Sequence, residues 1–284
     1  MIAVALDGRL GNQLFQYAFI YAASEKLGVK FYFDQSGQAL LVDAYFEIEP
    51  DQFDCLNRRL FRIKGFKNFF CYYLKRAFYR LSNHYYRLRD LPFNNQDAPA
   101  AQIGQLADRA RYEGFFQSAS YFEPVAARLR QRLTVKKACR QAYEEVALGL
   151  PAHGSLVVVH IRRGDYLELN LNLPATYYHG VIGALRASDP LYVFLSDDPD
   201  HIETEFAYIG NKYISRHSGI VDLQLLQHAD VCVLSNSSFS WWGAWLNTRP
   251  DKLVYAPQYW SGFATGLEYP AGISDLLNYN WVTV

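Results

Sequence analysis

The sequence has little of what would place it in several large classes. There is no excess of either charge, with 28 Lys plus Arg against 28 Asp plus Glu, so the broad positive field of a general nucleic-acid binder is missing and no nucleic-acid partner is expected. Cysteine is scarce: Cys55, Cys71, Cys139 and Cys232 stand far apart, with no C-x-x-C pair and no histidine at metal-ligand spacing. That spacing carries no signature of a disulfide framework or a zinc site, and reduced structural thiols are expected. No apolar run of about 18 or more residues occurs, and the opening MIAVALDG is too short an apolar stretch for a signal peptide or a membrane anchor. The expected address is cytoplasmic. Internal repeats and low-complexity tracts are also lacking.

What is present is a chain of 284 residues, half of them hydrophobic, enough for one large core or two modest ones. Two lobes are expected, residues 1–150 and 151–284. Aromatic residues make up 16%, which suits stacking on ring-shaped ligands and equally suits an aromatic core. The charge is unevenly spread: residues 55–89 hold ten Lys or Arg and no acid, leaving eighteen bases against twenty-eight acids elsewhere. Within that stretch Phe66, Phe69, Phe70, Tyr73, Leu74, Ala77 and Leu81 fall at helical spacing on one face, and Lys64, Lys67, Lys75, Arg76 and Arg80 fall largely off it. Two readings stay open for residues 64–81. One is an interfacial helix in peripheral contact with the anionic inner face of a membrane. The other is a helix packed on the N-terminal lobe with its charges in water.

The opening reads strand, glycine turn, helix, strand: Ile2 to Leu6, then Gly8 and Gly11, a helix over Asn12 to Leu27 ended by Lys26 and Gly28, and a strand over Val29 to Phe33. This is a βαβ unit. Residues 34–152 give only helical patches separated by turn-rich segments such as Leu91 to Pro99. The second half alternates clearly. Strands are predicted at Leu156 to Ile161, Leu191 to Leu195, Lys212 to Ile214, Val231 to Leu234 and Lys252 to Ala256. Helices are predicted at Thr176 to Ala187, Pro199 to Phe206, Ile220 to Ala229 and Phe239 to Leu246. Such alternation implies a doubly wound parallel sheet.

In an open α/β sheet ligands bind beyond the carboxyl ends of the strands, and three predicted ends are unusually polar. They are His160, Arg162, Arg163 and Asp165; Ser196, Asp197 and Asp198; and Ser235, Asn236, Ser237 and Ser238. Adjacent guanidinium groups offer planar, permanently charged donors suited to a diphosphate, or else a salt bridge to Asp165 or Asp198. Ser235 to Ser238 opens a helix, which favours either an anion at the positive end of the dipole or an ordinary N-cap. Asp197, Asp198 and Asp200 can be read as a divalent-metal site. The preferred reading is that they hold ribose or base donors or cap the next helix, because paired arginines already supply the counter-charge. His160 is by default a satisfied core histidine. Gly8 to Gln13, with Asp34 ending the second strand, invites a dinucleotide reading, but only two glycines of G-x-G-x-x-G are present. A loop carrying Gly11 and Asn12 close to a ligand in an interlobe cleft fits better.

At these residues the chain resembles the bacterial-type α-1,2-fucosyltransferases of glycosyltransferase family 11. The resemblance is carried by GRLGNQLFQYA at 8–18, VVVHIRRGDY at 157–166, FLSDDP at 194–199 and SNSSFSWWGAWL at 235–246. It implies a GT-B-like α/β fold of two Rossmann-like lobes, a helical region inserted in the N-terminal half, and GDP-fucose held by the C-terminal lobe. It further implies inverting transfer of fucose to a hydroxyl, galactose O2 of a glycan acceptor, with no metal or other cofactor. Arg162 would hold the β-phosphate with Arg163 in support, His160 would lie by the nucleotide, and Asn12 would face the transferred sugar or its phosphate. One departure is Asp7-Gly8, where many relatives have two adjacent glycines. The acceptor's proton needs a base, for which Asp165, Glu168 and Asp7 stand as candidates beside loss to solvent. The competing readings are a non-catalytic nucleotide-sugar or membrane-associated module and a nicotinamide oxidoreductase.

Overall fold

The computed structural model describes residues 1–48, 51, 53, 68–185 and 189–284, with side chains from residue 72 onward in the helix that begins at Asn68. The expectations placed on Cys55, Lys64, Phe66 and Lys67, and on the side chains of Phe69, Phe70 and Cys71, lie outside the described residues. The chain forms two compact units: Met1–Thr134 with Ala271–Leu276, and Val135–Pro270 with Leu277–Val284. The boundary thus falls before residue 150, and a short C-terminal segment returns to the first unit. There Ala271 N donates to Asn95 O at 2.8 Å and Ser120 Oγ to Asp275 Oδ2 at 2.9 Å.

The first unit runs β1 (Ile2–Ala5), α1 (Leu10–Leu27), β2 (Phe31–Asp34), α2 (Val42–Tyr45), α3 (Asn68–Tyr85), β3 (Arg89–Pro92), α4 (Pro99–Ile103), β4 (Ala110–Glu113) and α5 (Ala126–Arg132). Its sheet is parallel, ordered β2-β1-β4-β3. Ile2, Ala3 and Val4 are fully buried, as a continuous apolar run in a parallel strand should be. Helix α1 is buried over most of its length, including two glutamines that latch loops at strand ends. Gln13 Nε2 donates to Ala39 O at 3.0 Å and its Oε1 accepts from Leu41 N at 2.7 Å. Gln16 Nε2 donates to Gly114 O at 3.0 Å and its Oε1 accepts from Asp7 N at 3.2 Å. Gly8, at φ +75°, is required at the turn between β1 and α1, because a Cβ there would stand 2.4 Å from Asn12 Nδ2.

Helix α3 packs on the first unit, but through a face other than the apolar stripe read from its periodicity. Tyr79 is fully buried and Ser82 nearly so, whereas Tyr73, Leu74, Ala77 and Leu81 are exposed. The packed side is fixed by polar links that a hydrophobic count overlooks: Asn83 Nδ2 donates to Asp34 Oδ2 at 3.1 Å, Tyr32 Oη to Asn83 Oδ1 at 2.5 Å, and Lys75 Nζ to Gln35 Oε1 at 3.1 Å.

The second unit runs α6 (Lys137–Leu148), β5 (Ser155–Ile161), α7 (Gly164–Glu168), α8 (Ala175–Ala184), β6 (Pro190–Ser196), α9 (Pro199–Glu205), β7 (Lys212–Ile214), α10 (Gly219–His228), β8 (Val231–Val233), α11 (Ser238–Leu246), β9 (Leu253–Pro257) and β10 (Asn280–Val282). The predicted elements lie within a few residues of these, except that the helix expected to reach Ala187 is described to Ala184, with 186–188 outside the described residues. The six-stranded parallel sheet is ordered β10-β9-β8-β5-β6-β7. Val157, Val159, Phe194 and Val233 form its core with Tyr177, Tyr178, Ile202 and Phe206 from the helices.

Helix α11 buries Trp241, Trp242 and Trp245 and crosses α10 at Gly243, where a Cβ would lie 2.6 Å from Leu226 Cβ. In an open helix Gly→Ala stabilises by about 1 kcal/mol; at this crossing Gly243→Ala is expected to destabilise by roughly 1–3 kcal/mol through overpacking. Urea denaturation of the two proteins checks the sign.

Candidate active site

Strand β5 starts the second sheet and stands in its middle, flanked by β6 and β8. Later strands add outward on both sides, so the direction of winding reverses between β5 and β8, and a crevice opens beyond their carboxyl ends. His160 at the end of β5 and Ser235 just past β8 meet across that point, Nδ1 to Oγ at 2.8 Å. His160 is buried, and burial, reinforced by the Arg162 charge, pushes its pKa down to about 3. The imidazole is therefore neutral at any working pH, with the Phe239 ring 5.5 Å away.

Arg162 and Arg163 come directly after. The Arg162 guanidinium reaches Asp165 Oδ1 at 2.5 Å and Asp197 Oδ2 at 2.7 Å, and lies over the Tyr166 ring at 5.5 Å. Arg163 Nε donates to Asp198 Oδ2 at 3.0 Å, and its backbone N–H to Asp197 Oδ1 at 2.9 Å. The Arg163 contact, aided by the His201 N–H, holds the Asp198 carboxyl below its ordinary range. Asp197 comes so close to the chain that a Cβ at Gly164 would stand 2.5 Å from its Oδ2, which explains why glycine comes after the arginines. Asp197, Asp198 and Asp200 each face a different guanidinium, Asp200 pairing with Arg216 at 2.8 Å. Among the described residues no group of three or more His, Cys, Asp or Glu side chains could hold a metal ion.

The third strand end is a tight network. Ser235 O accepts from Ser240 Oγ at 3.2 Å, Asn236 Nδ2 donates to Leu171 O at 2.8 Å, and Asn236 O accepts from Tyr166 Oη at 3.3 Å. The Asn236 Oδ1 atom is buried with no hydrogen-bond partner among the described residues. Ser237 Oγ accepts from Phe239 N at 3.4 Å and caps α11, as an ordinary N-cap would, and Ser238 begins the helix half-buried. Ser196 Oγ accepts from Asp198 N at 3.0 Å, turning the chain into α9.

His160, Arg162, Arg163, Asp165, Ser196, Asp197, Asp198 and Ser235 to Ser238 therefore gather at the carboxyl edge of one sheet. Gly11 and Asn12 belong to the first unit, where Asn12 Oδ1 accepts from Gln117 Nε2 at 3.0 Å. Of the candidate bases, Asp165 is tied to Arg162, Asp7 Oδ1 accepts from Gly8 N at 2.7 Å, and Glu168 is exposed on α7. Asp34, the acid of the dinucleotide reading, is buried against Arg111 at 2.5 Å, and although burial alone would raise its pKa, the Arg111 hydrogen bond brings it below the usual value.

Residues 1–265 match the sequence profile of Glycosyl transferase family 11. This chain belongs to glycosyltransferase family 11. It is 26% identical over 300 residues to the O-antigen biosynthesis glycosyltransferase WbnK of Escherichia coli, covering 90% of this chain and 93% of that one. With the α-1,2-colitosyltransferase of Escherichia coli it shares 28% identity, covering 92% of each. With the galactoside 2-α-L-fucosyltransferase SEC1 of Bos taurus it shares 24%, covering 94% of this chain and 75% of that one. Among solved structures, the fucosyltransferase NodZ from Bradyrhizobium aligns with a TM-score of 0.54 at 12% identity, covering 85% of this chain and 91% of that one. The fold of this family 11 glycosyltransferase is thus GT-B-like, with each unit built on a parallel sheet.

Sequence reasoning missed Asp222. It lies in the first turn of α10 and its Oδ1 accepts from Ser215 Oγ at 2.5 Å, just beyond β7 and so at a fourth strand end. The available signal was a lone acid inside the apolar run Ile220 to Leu226. Burial raises its pKa to about 6 against the Ser215 hydrogen bond that lowers it. The folded chain therefore holds a proton that the unfolded chain releases near pH 4, so stability falls as pH rises from about 4 to 6 and is level above. Asp222→Asn is expected to flatten that slope and to gain on the order of 2–3 kcal/mol at pH 7. Denaturation midpoints of both proteins across this pH range test it.

Proposed function

We propose that this family 11 enzyme transfers fucose from GDP-fucose to O2 of galactose in a glycan acceptor, giving an α-1,2 linkage with inversion and without a metal. The observation that carries the reading is the pair of guanidinium groups, Arg162 and Arg163, fixed by carboxylates where the winding of the second sheet reverses. Support for the donor comes from NodZ, an α-1,6-fucosyltransferase crystallised with GDP. Support for the linkage comes from the colitosyl- and galactoside fucosyltransferases, both named for 1,2 transfer. The relative named for O-antigen biosynthesis supports a surface glycan as acceptor, which we take to be lipid-linked.

Inverting transfer asks the acceptor oxygen to bond to the anomeric carbon from the face opposite the diphosphate. The carbon–oxygen bond to the β-phosphate breaks, its electron pair leaves with GDP, and the hydroxyl proton passes to a carboxylate or to water. Charge builds on the departing phosphate through an oxocarbenium-like transition state. A guanidinium has five N–H donors, so Arg162 can face the β-phosphate while still held by Asp197. Asp165 is its more exposed partner and is the one to yield. His160, neutral and buried, lies beside the nucleotide without adding charge. The proposed metal independence is supported by the same arrangement, in which fixed cations would do the work of a divalent ion and Asp165, Asp197, Asp198 and Asp200 each face an arginine. Asn12 contacts the transferred sugar or its phosphate.

Preorganised donors aimed at developing charge are worth roughly 3–4 kcal/mol each. Arg162→Ala is therefore expected to lower turnover more than a hundredfold with folding intact, and near-normal turnover would overturn the role. The reading as a whole is tested by incubating the enzyme with GDP-fucose, lactose and a chelator and mapping the product's linkage. Transfer to galactose O2 with the chelator present is expected. Loss of activity on chelation, another linkage, or use of a GDP-colitose donor alone would each count against it. Replacement of Asp165, Glu168 and Asp7 one at a time by the amide separates the bases: the true one loses turnover while GDP affinity holds, whereas an Asp165 that only competes for Arg162 gives tighter GDP binding.

A further inference from the structure

We infer that helix α3 seats the enzyme on an anionic lipid surface. The side that packs on the first unit is Tyr79, Ser82 and Asn83. On the outer side Leu74, Leu81 and Tyr85 are 47%, 69% and 76% exposed. Their spacing of i, i+7 and i+11 puts them on one stripe, with exposed Ala77 beside it. Arg76, Arg80 and His84, spaced by four, run alongside, and all three are exposed.

Two features argue for lipid as the occupant. The first is charge: residues 68–89 contain five Lys or Arg and no Asp or Glu, where a helix evolved to face water would carry acid and base pairs at i, i+4. Arg80, Arg87 and Arg89 form no ion pair among the described residues, and Arg76 contacts the ring and hydroxyl of Tyr72. The second is a cationic hollow just past the C-terminal end of the helix. Arg87, Arg89 and Arg109, with Gln105 and Asp108, line a cavity of about 570 Å³. Asp108 there is already engaged by the N-terminal ammonium at 2.5 Å. An apolar stripe with arginines beside it and such a hollow at its end matches acyl chains under a layer of phosphate headgroups. A second copy of the chain would set these cations against each other.

Lipid docking is independent of the donor chemistry, so its test uses no nucleotide. The full-length protein is floated with phosphatidylcholine vesicles and with vesicles that also contain phosphatidylglycerol. Co-flotation is expected with the anionic vesicles alone, and raised salt should release it. At about 1 kcal/mol per cation at the surface, Arg76→Gln with Arg80→Gln should weaken partition roughly thirty-fold. Leu74→Glu with Leu81→Glu should abolish it. All four side chains are exposed, so unchanged thermal midpoints are expected and separate lost docking from lost folding. Failure to float with either vesicle, equal flotation with both, or flotation undiminished in both variants would overturn the inference. So would sedimentation showing self-association that the leucine variants remove.

Discussion

The pairing of two guanidinium groups with the carboxylates of the neighbouring strand is the interaction on which this site depends. A free arginine at a strand end keeps up to about 2 kcal/mol of side-chain entropy that binding must remove. Here Asp197 has already removed much of it. It holds the Arg162 guanidinium with one oxygen and the Arg163 backbone with the other, so the side chain and the turn that carries it are fixed together. Asp198 does the same for Arg163 while accepting from His201 N at the start of α9. The cost is that three acids surround two bases, which opposes a diphosphate. The more exposed Asp165 partner keeps that cost low, since an exposed ion pair contributes little and is readily exchanged.

The position of this cluster comes from winding order. Because β5 is both first in the unit and central in the sheet, its carboxyl end borders strands laid down on both sides, and β6 and β8 deliver their own polar ends to it. The His160 to Ser235 contact spans the reversal. It is made by a neutral imidazole, which suits a buried seam: a charged one would be desolvated and repelled by the Arg162 guanidinium.

The sequence was most legible where period and chemistry agreed. Strands of the second unit are apolar runs with polar residues immediately after, so both the elements and the gathering of those polar residues at one edge could be read. The first unit was harder. Its strand β3, Arg89–Pro92, is mostly exposed and lacks an apolar run, and the segment 271–276 joins the unit by a backbone bond to Asn95 and a side-chain bond to Ser120 that leave no mark on composition. In helix α3 the packed face was the illegible part, because Tyr79 and Asn83 dock beside hydroxyl and carboxamide links while leucines face outward. The most distinctive strings also turn out to be largely scaffold. The glutamines of GNQLFQ latch loops, and the tryptophans of SWWGAW fill the space around α11. Their chemistry is packing.

The same distinction separates a sugar-transfer lobe from a dinucleotide one. A βαβ unit with an acid ending its second strand has the right layout for a ribose, and layout alone cannot decide. What decides is where the carboxylate's lone pairs go. Asp34 accepts from Arg111 Nε, Asn83 Nδ2 and Ser36 N while only 1% exposed. Removing one partner of such a buried pair typically costs about 3–5 kcal/mol, so a ribose would have to break a structural tie between β2, β4 and α3 to reach it. The acid that would have read a nucleotide in another fold here fixes the inserted helix to the sheet. The proposed nucleotide site therefore rests on the arginines of the second unit, not on Asp34.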